Sequence, residues 1–597
     1  MNHLLRLAVS RDLKGYIRRF SWGQNNPENP ITKEQIQKNK GSNKNRNMNS
    51  ADQDSPLSFN PDGAQSMHMA LRAPRQENTM AMFTADGTNA LPAIHDEWAR
   101  IELLANTIRA AKMRGVSGQP LRDVVVVGRG VSVLGLKFVY SALLQNQEAI
   151  EASRKGIIEE FIAASWTKRA AAAAISNNLE TCRRMRFVAC ADPSLVQKAV
   201  EGLNPSSTII ITVALRENED TDFATRYMAG WLCRELKGYK KEHIVSHHMF
   251  LVTGDQMLKQ LKPESTFLIP DHSRCEAFGS FTAATLLPLS IVFGWHTVEQ
   301  FLAGAHDMDK HFVETNPRHN LPVLLALTDV WNDAFLGSSG RIVTPFSEQF
   351  ASYASFVAAL ESETCGRCFD IQGRKISGSK TASAVVIQGN VQGEYDRMLY
   401  QGGRIFPSEL VAAMHSPASM TVDVGGTGGS RVTAHDRMMC TLFAHADLLA
   451  FGSAGPAGAA FGNNNSASKY HQTGMIAPTN SSATIQNVPT GLQSQSEGNR
   501  PSTLIICSQC DAFTCGQLVS LSEHRVIVAA RIWDVNPFLS ESGSRLRETE
   551  TERLQEKLQN FWVMGFDVDD DEKIDYLGEK VNFATSKVLA HYANSRS

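Results

Sequence analysis

STIIITVALRENEDT, residues Ser207 to Thr221, reads as a buried β-branched strand (Ile209, Ile210, Ile211) that runs into a polar loop and then a helix. A strand followed by a helix is the building unit of a parallel sheet. In such a protein the carboxyl end of the strand and the amino end of the helix form a natural seat for a phosphate. Here the loop carries Glu217, Glu219 and Asp220 against a single cation, Arg216. Two like charges about 5 Å apart repel by roughly 3 kcal/mol at an effective dielectric near 20. The loop disfavours a phosphate dianion.

The alternation continues outward from this stretch. Strands are expected at Asp123–Val127, Arg186–Ala189, Thr208–Thr212, Met249–Thr253 and Ser383–Ile387, with helical patterns between them that include an alanine-rich run at Arg169–Ser176. Strands alternating with helices predict an α/β protein whose parallel sheets are covered by helices on both faces. With 597 residues the chain exceeds one ordinary core, so two domains or subdomains are expected.

Composition narrows the function classes. The 59 basic and 61 acidic residues nearly cancel, which argues against a large nucleic-acid surface. No apolar run approaches the roughly 20 residues that span a bilayer, so a transmembrane protein is not expected. Ten cysteines in a chain of this length do not form a secreted disulfide framework. Two CxxC pairs, Cys365/Cys368 and Cys507/Cys510, with Cys515 nearby, have the ligand spacing of a zinc site. The pairs lie far apart in sequence, however, and the reading adopted is that no metal or other cofactor is held. Asp567, Asp569 and Asp571 imitate the start of a calcium loop, but Glu572 and Gly578 stand where such a loop needs glycine and glutamate.

At the amino end, Leu4, Leu5, Ala8, Leu13, Ile17 and Phe20 form a helical apolar stripe, with Arg6, Arg11, Lys14, Arg18 and Arg19 set against one acid, Asp12. An amphipathic, arginine-rich, acid-poor segment over residues 1–24 predicts a mitochondrial presequence. A surface helix or partner-docking arm in a cytoplasmic protein is the alternative. From Gln24 to Pro56 the chain has almost nothing to bury and reads as a disordered linker. Residues 453–496, rich in Gly, Asn, Ser and Thr, read as a long loop insertion.

A series of motifs, in order from about residue 55 to 590, resembles the glucose-6-phosphate isomerase family. His68-Met-Ala-Leu-Arg72 is similar to H-x-A-L-R. SGQPLRDVVVVGRGVSVLG (Ser117–Gly135) resembles the family's strand and glycine loop. FLAGAHDMDKHF (Phe301–Phe312), NLPVLLAL (Asn320–Leu327), YQGGRIFP (Tyr400–Pro407), EGNRPS (Glu497–Ser502) and LSEHRVIVAARIWDVNPF (Leu521–Phe538) are similar to further family segments. The resemblance implies two doubly wound sugar-isomerase (SIS-type) subdomains plus a C-terminal helix around Leu546–Phe561. The expected division is 1–55 presequence and linker, 56–300 first subdomain with its core at about 95–290, 301–562 second subdomain, and 563–597 acidic tail. Homodimerisation is a further implication.

Aldose–ketose isomerisation of a sugar phosphate needs a phosphate grip, a proton carrier to open the ring, a base for the C1–C2 proton and a group to stabilise the enediolate. Carried over residue by residue, the resemblance leaves little of this set in place. The family's phosphate-loop serine, lysine and first threonine fall on Val213, Ala214 and Leu215; Thr221 persists and Asp220 replaces a glutamate. In the glycine loop Ser132 is kept, but Val131 stands for the preceding glycine, where a branched Cβ is expected to crowd a ligand. The base position falls on Glu363, although Glu361 and Glu363 together also read as ordinary exposed glutamates, and Ala359 replaces a glutamine donor. Asn390 and Gln392 persist, but the ring-opening histidine is Gly393. The arginine of G-G-R-[YF]-S falls on Phe278, with Arg274 one helical turn earlier. The carboxy-terminal lysine is Arg547, a cation that does not readily donate a proton. His68 matches a retained family histidine, and packing beneath the first sheet is its alternative role. Expected substrate-side residues are thus Ser132, Thr221, Gln392, His68 and Arg274. Glu363 is expected as a vestigial base and Arg547 as a surviving cation. The expectation is a catalytically inactive relative with a structural or binding role in a mitochondrial assembly. The alternatives are an active isomerase using Glu363, and an altered site for a neutral or cationic small ligand.

Overall fold

The computed structural model describes residues 4–6, 13, 17, 68–75, 89–154, 182–190, 192–215, 219–254, 266–269, 276–338, 340–366, 370, 374, 385–386, 407–415, 421–423, 431–451 and 499–538. Two compact units divide the chain, Met1–Leu539 and Ser540–Ser597, and the second lies outside the described residues. So do the expected helices at 169–176 and 546–561, the 453–496 insertion and the acidic tail.

The first sheet is fully parallel: β1 (Asp123–Val127), β2 (Met185–Val188), β3 (Thr208–Ala214), β4 (Met249–Thr253) and β5 (Thr266–Leu268), in the order β2-β1-β3-β4-β5. Every residue of β1, β3 and β4 is buried, as expected for strands covered on both faces. Alternation assigns the faces. Val124, Val126, Ile209, Ile211 and Val213 enter the main core, whereas Val125, Val127 and Ile210 enter a second one. Around this sheet lie α1 (Leu91–Arg109), α2 (Val131–Leu143), α3 (Gln147–Arg154), α4 (Pro193–Val200), α5 (Glu219–Glu235) and α6 (Lys241–His248). Asp192 caps α4 by accepting the Ser194 N–H at 2.8 Å.

The second sheet, β6 (Ile342–Pro345), β7 (Val385–Val386), β8 (Ser408–Ala413) and β11 (Ser502–Cys507), is also parallel in the order β11-β8-β6-β7; β9 (Thr421–Asp423) and β10 (Arg431–Thr433) form an antiparallel pair. The remaining helices are α7 (Ala283–Phe293), α8 (Trp295–Glu314), α9 (Leu321–Ala334), α10 (Tyr353–Cys365), α11 (Ala434–Phe451) and α12 (Ala512–Ile532). Residues of both sheet regions feed one continuous core. Its centre is the pair α8 and α12, whose backbones approach at Gly304 and Gly516: a Cβ on either would overlap main-chain atoms of the other helix.

Helix α12 is buried continuously from Leu518 to Ile532 although it carries Glu523, His524 and Arg525. Charges removed from water in this way need partners. Arg72, on the 3-10 turn Ala70–Arg72, forks onto Asp309 of α8 at 2.7 and 2.6 Å and also binds Glu523. His524 Nε2–H donates to Asp309 at 2.6 Å and Ser520 Oγ donates to it at 3.0 Å. A second network joins Arg341 and Arg525 to Asp329, Glu409 and Glu361, with Arg525 on Asp329 at 2.6 Å and on Glu409 at 2.6 Å.

Two expectations change here. The stretch Glu276–Phe293 is long and apolar enough to span a bilayer by length and composition, but it is 94% buried inside the protein, as a core helix is. Glu361 is not an exposed glutamate: it is buried and held by Arg341 at 2.5 Å.

Candidate functional site

The chain's candidate site lies where β1 and β3 end. A Cβ on Gly128 would stand 2.7 Å from the Val213 carbonyl oxygen, so glycine is what lets the two strand ends close together. Gly130 follows with φ +94° and caps α2. Ser132, in the first turn of that helix, is fully buried, and its hydroxyl has no hydrogen-bond partner among the described residues. The Val131 side chain is buried in the main core. Its branched Cβ packs within the first turn of α2, beside the fully buried Ser132.

The second wall is the 3-10 turn Glu276–Phe281. Leu215, at the phosphate-loop position, is buried; its Cδ1 and the Ser132 Cβ each stand 3.3 Å from where a Gly279 Cβ would be. Ser280 is fully buried, again with no partner for its hydroxyl among the described residues. Glu276 turns its carboxylate onto Gly130: a Cβ there would overlap it, with the Glu276 Cδ 2.5 Å away. In the alignment that places the family arginine on Phe278, the two glycines before it fall on Glu276 and Ala277. That glycine-to-acid exchange was the available signal for Glu276.

Arg129 of the glycine loop pairs with Asp220 at 3.3 Å, and this pair links the two loops. Thr221 is buried in the first turn of α5, where its carbonyl accepts the Thr225 hydroxyl at 2.7 Å. Residues 216–218 lie outside the described residues.

His68 is enclosed by aromatic rings, with Phe278 at 5.3 Å, His524 at 5.5 Å and Phe538 at 6.0 Å between centroids. Burial, then the nearby Arg72 charge, hold its pKa well below the usual histidine range. The imidazole is neutral at physiological pH. Phe278, at the arginine position, packs on Phe538 at 5.0 Å.

Glu363 is half-buried on α10. Positions two apart on a helix point about 200° apart, so the face that sends Glu361 into the ion network is not the face of Glu363. The structure therefore brings Ser132, Thr221 and His68 to one region, joined through the Arg129–Asp220 pair and the Phe278–Gly279 turn. Arg274, Gln392, Gly393 and Arg547 lie outside the described residues.

Cys365, Cys510 and Cys515 are buried packing groups. Cys365 Sγ donates to the Val526 carbonyl at 3.6 Å and Cys510 Sγ to the Ala142 carbonyl at 3.8 Å. Burial, with Cys510 and Asp511 alongside, pushes the Cys507 thiol up to about 12, away from the thiolate that metals bind. Among the described residues no cluster of three His, Cys, Asp or Glu is placed to hold a metal; Cys368 is not among them.

Two open parallel sheets, and a glycine turn between the end of a strand and a helix, define an α/β protein of the sugar-isomerase type. The chain belongs to the phosphoglucose isomerase family, whose family model matches residues 56–160 and 167–594. It is 28% identical over 543 residues to a cytosolic glucose-6-phosphate isomerase of Arabidopsis thaliana, covering 89% of this chain and 82% of the relative. A cytosolic glucose-6-phosphate isomerase of Zea mays is 28% identical over 537 residues, covering 88% and 80%. A solved glucose-6-phosphate isomerase from Chlamydia trachomatis D/UW-3/Cx superimposes with a TM-score of 0.65 at 18% identity, over 93% of this chain and 86% of that one, which supports the fold.

Proposed function

We propose that this family member no longer interconverts glucose 6-phosphate and fructose 6-phosphate, and that its fold serves a binding or structural role as a subunit of a larger assembly. The observation that carries this reading is Leu215. At a position where the family offers a hydroxyl to the phosphate, a buried leucine packs beside Ser132 and Gly279. An apolar side chain there supplies no donor and excludes the water a dianion would need. Gly393 in place of the ring-opening histidine and Phe278 in place of the arginine point the same way. In this reading His68 is a packed core histidine and Glu363 a vestigial base.

The test is a coupled assay of the full chain in the fructose 6-phosphate to glucose 6-phosphate direction, with Glu363→Gln as control. No turnover by folded protein is the expected result. Turnover abolished by Glu363→Gln overturns it. Membership of an isomerase family favours that second reading, an active enzyme with Glu363 as base and Arg274 and Arg547 as cations.

We place the protein in the mitochondrion on the charge pattern of residues 1–24. Against this, Leu4, Leu5, Leu13 and Ile17 are buried with the main core, and the plant relatives are named cytosolic; both support the cytoplasm. Sequencing the mature amino terminus separates the two: loss of residues 1–24 supports import, and their retention supports a docked helix. Homodimerisation is tested by sedimentation of the same material.

A further inference from the structure

The recognition chemistry of residues 1–24 lies in apolar side chains. An amphipathic helix is read by a partner that takes its apolar residues into a hydrophobic groove. In the sequence those residues are Leu4, Leu5, Ala8, Leu13, Ile17 and Phe20. The folded chain already uses four of them. Leu4 is 3% exposed, Leu5 8%, Leu13 1% and Ile17 4%. All four join the main core, which also holds Val124 and Ile209 of the first sheet and Phe301 of α8. Arg6, next to Leu5, is exposed. The four apolar side chains therefore lie where a second protein does not reach them.

Resting on the reading of residues 1–24 as a mitochondrial signal, we propose that folding masks that signal. The side chains an import receptor would read are docked in the protein's own core, so only a chain that has not folded, or has released its amino end, is recognised. One set of side chains cannot fill a core and a receptor groove at the same time. When only a fraction of a protein is competent to bind, its apparent affinity falls by that fraction. Burial of four large apolar side chains favours the docked state and keeps the competent fraction small. The burial holds at both Leu4–Leu5 and Leu13–Ile17, so it is more than one chance contact. The consequence is two populations. Chains captured before folding enter the organelle, and chains that fold first keep the segment and stay in the cytoplasm. The presequence-like charge pattern and the buried segment, which taken singly point to different compartments, then describe one device.

The experiment measures binding to isolated mitochondria by three native proteins. They are the full chain, the full chain with a second copy of residues 1–24 placed ahead of Met1, and an unrelated soluble reporter carrying residues 1–24. The added copy finds the core already occupied and so stays accessible. The proposal expects the extended chain and the reporter to bind at least tenfold more than the native full chain. Equal binding by the native full chain and the extended chain overturns it, because the signal is then not hidden. A reporter that does not bind overturns it as well, and identifies the targeting reading as the part that failed. Isomerase turnover is untouched by either outcome, so the loss of catalysis is judged separately.

Discussion

The α8–α12 seam and the glycine loop treat charge in opposite ways. In the seam, Arg72, Asp309, Glu523 and His524 are wholly buried and joined to one another by ion pairs and hydrogen bonds. At the loop, the Ser132 and Ser280 hydroxyls have no partner among the described residues, Leu215 packs beside Ser132 and Gly279, and the Glu276 carboxylate lies against Gly130. The motifs that carry the seam (H-x-A-L-R, LAGAHDMDKHF and LSEHR) are among those that resemble the family, while the positions of the phosphate loop and of the opposite wall at Glu276–Phe278 depart from it. In the reading proposed above, the fold is kept by its internal ion pairs while the ligand site changes.

The largest expected effect is in the seam. Arg72→Met leaves Asp309 and Glu523 buried without their shared cation, and breaking a buried pair in this way costs on the order of 3–5 kcal/mol. Urea unfolding checks this. A loss below about 1 kcal/mol would mean that the seam does not hold the fold, and the contrast with the loop would collapse.

The pH dependence of stability sharpens the same point. Burial, resisted by Arg72 and reinforced by Asp309, pushes Glu523 up to about 7. Its folded pKa exceeds the ordinary value near 4.5, so the native state holds a proton that the unfolded chain has released. The resulting stabilisation is fully present below about pH 4.5 and is lost as pH rises through 7. Asp309 behaves oppositely: burial opposes its charge, but Arg72 and His524 hold its pKa well below the carboxylate range. Its contribution is lost in acid. His68 and His524, both lowered by burial, add stability as pH rises toward 6.5. Because these terms overlap, the measurement is the difference between wild type and Glu523→Gln. Between pH 5 and 7.5 the variant should gain stability relative to wild type as pH rises. A difference that stays constant with pH contradicts the assignment.

Much of the scaffold was legible in the sequence. β1 and β4 run over the residues expected, and β3 runs two residues further, to Ala214, because Val213 and Ala214 continue the ladder onto β4. The ion networks were not legible. Arg72 meets partners 237 and 451 residues away, and no local pattern announces such a contact. Glu361 read as exposed because its neighbours are polar, and only the position of Arg341 turns it inward. At the site, the losses at Val213 and Leu215 could be read from the motif. The approach of Glu276 to Gly130 could not, because it depends on which turn faces Gly130.

Two glycines separate close packing from mere helix propensity. Gly516→Ala inserts a methyl into the backbone of α8 and should cost about 1–3 kcal/mol through overpacking. Gly230→Ala lies within α5, where a Cβ meets nothing within 4 Å. There the gain in helix propensity should stabilise by about 0.5–1 kcal/mol. Opposite signs from one chemical change, read by thermal unfolding, would confirm that the seam's glycines are kept for contact. Equal signs would remove that argument.

The smallest effect is expected at the base position. Glu363 is half-buried on the face of α10 that turns away from the ion network, so Glu363→Gln preserves shape and leaves the Arg341 and Arg525 contacts intact. Substitutions of this kind usually stay within about 0.5 kcal/mol. If the site has lost its chemistry, the change should alter neither stability nor turnover, whereas Glu361→Gln, two residues away, should destabilise by weakening the Arg341 pair. The carboxylate matched to the family's base would then be the dispensable one, and its neighbour with no catalytic assignment the one the fold needs. Loss of sugar-phosphate turnover on Glu363→Gln would reverse that order and return the glycine loop to catalysis.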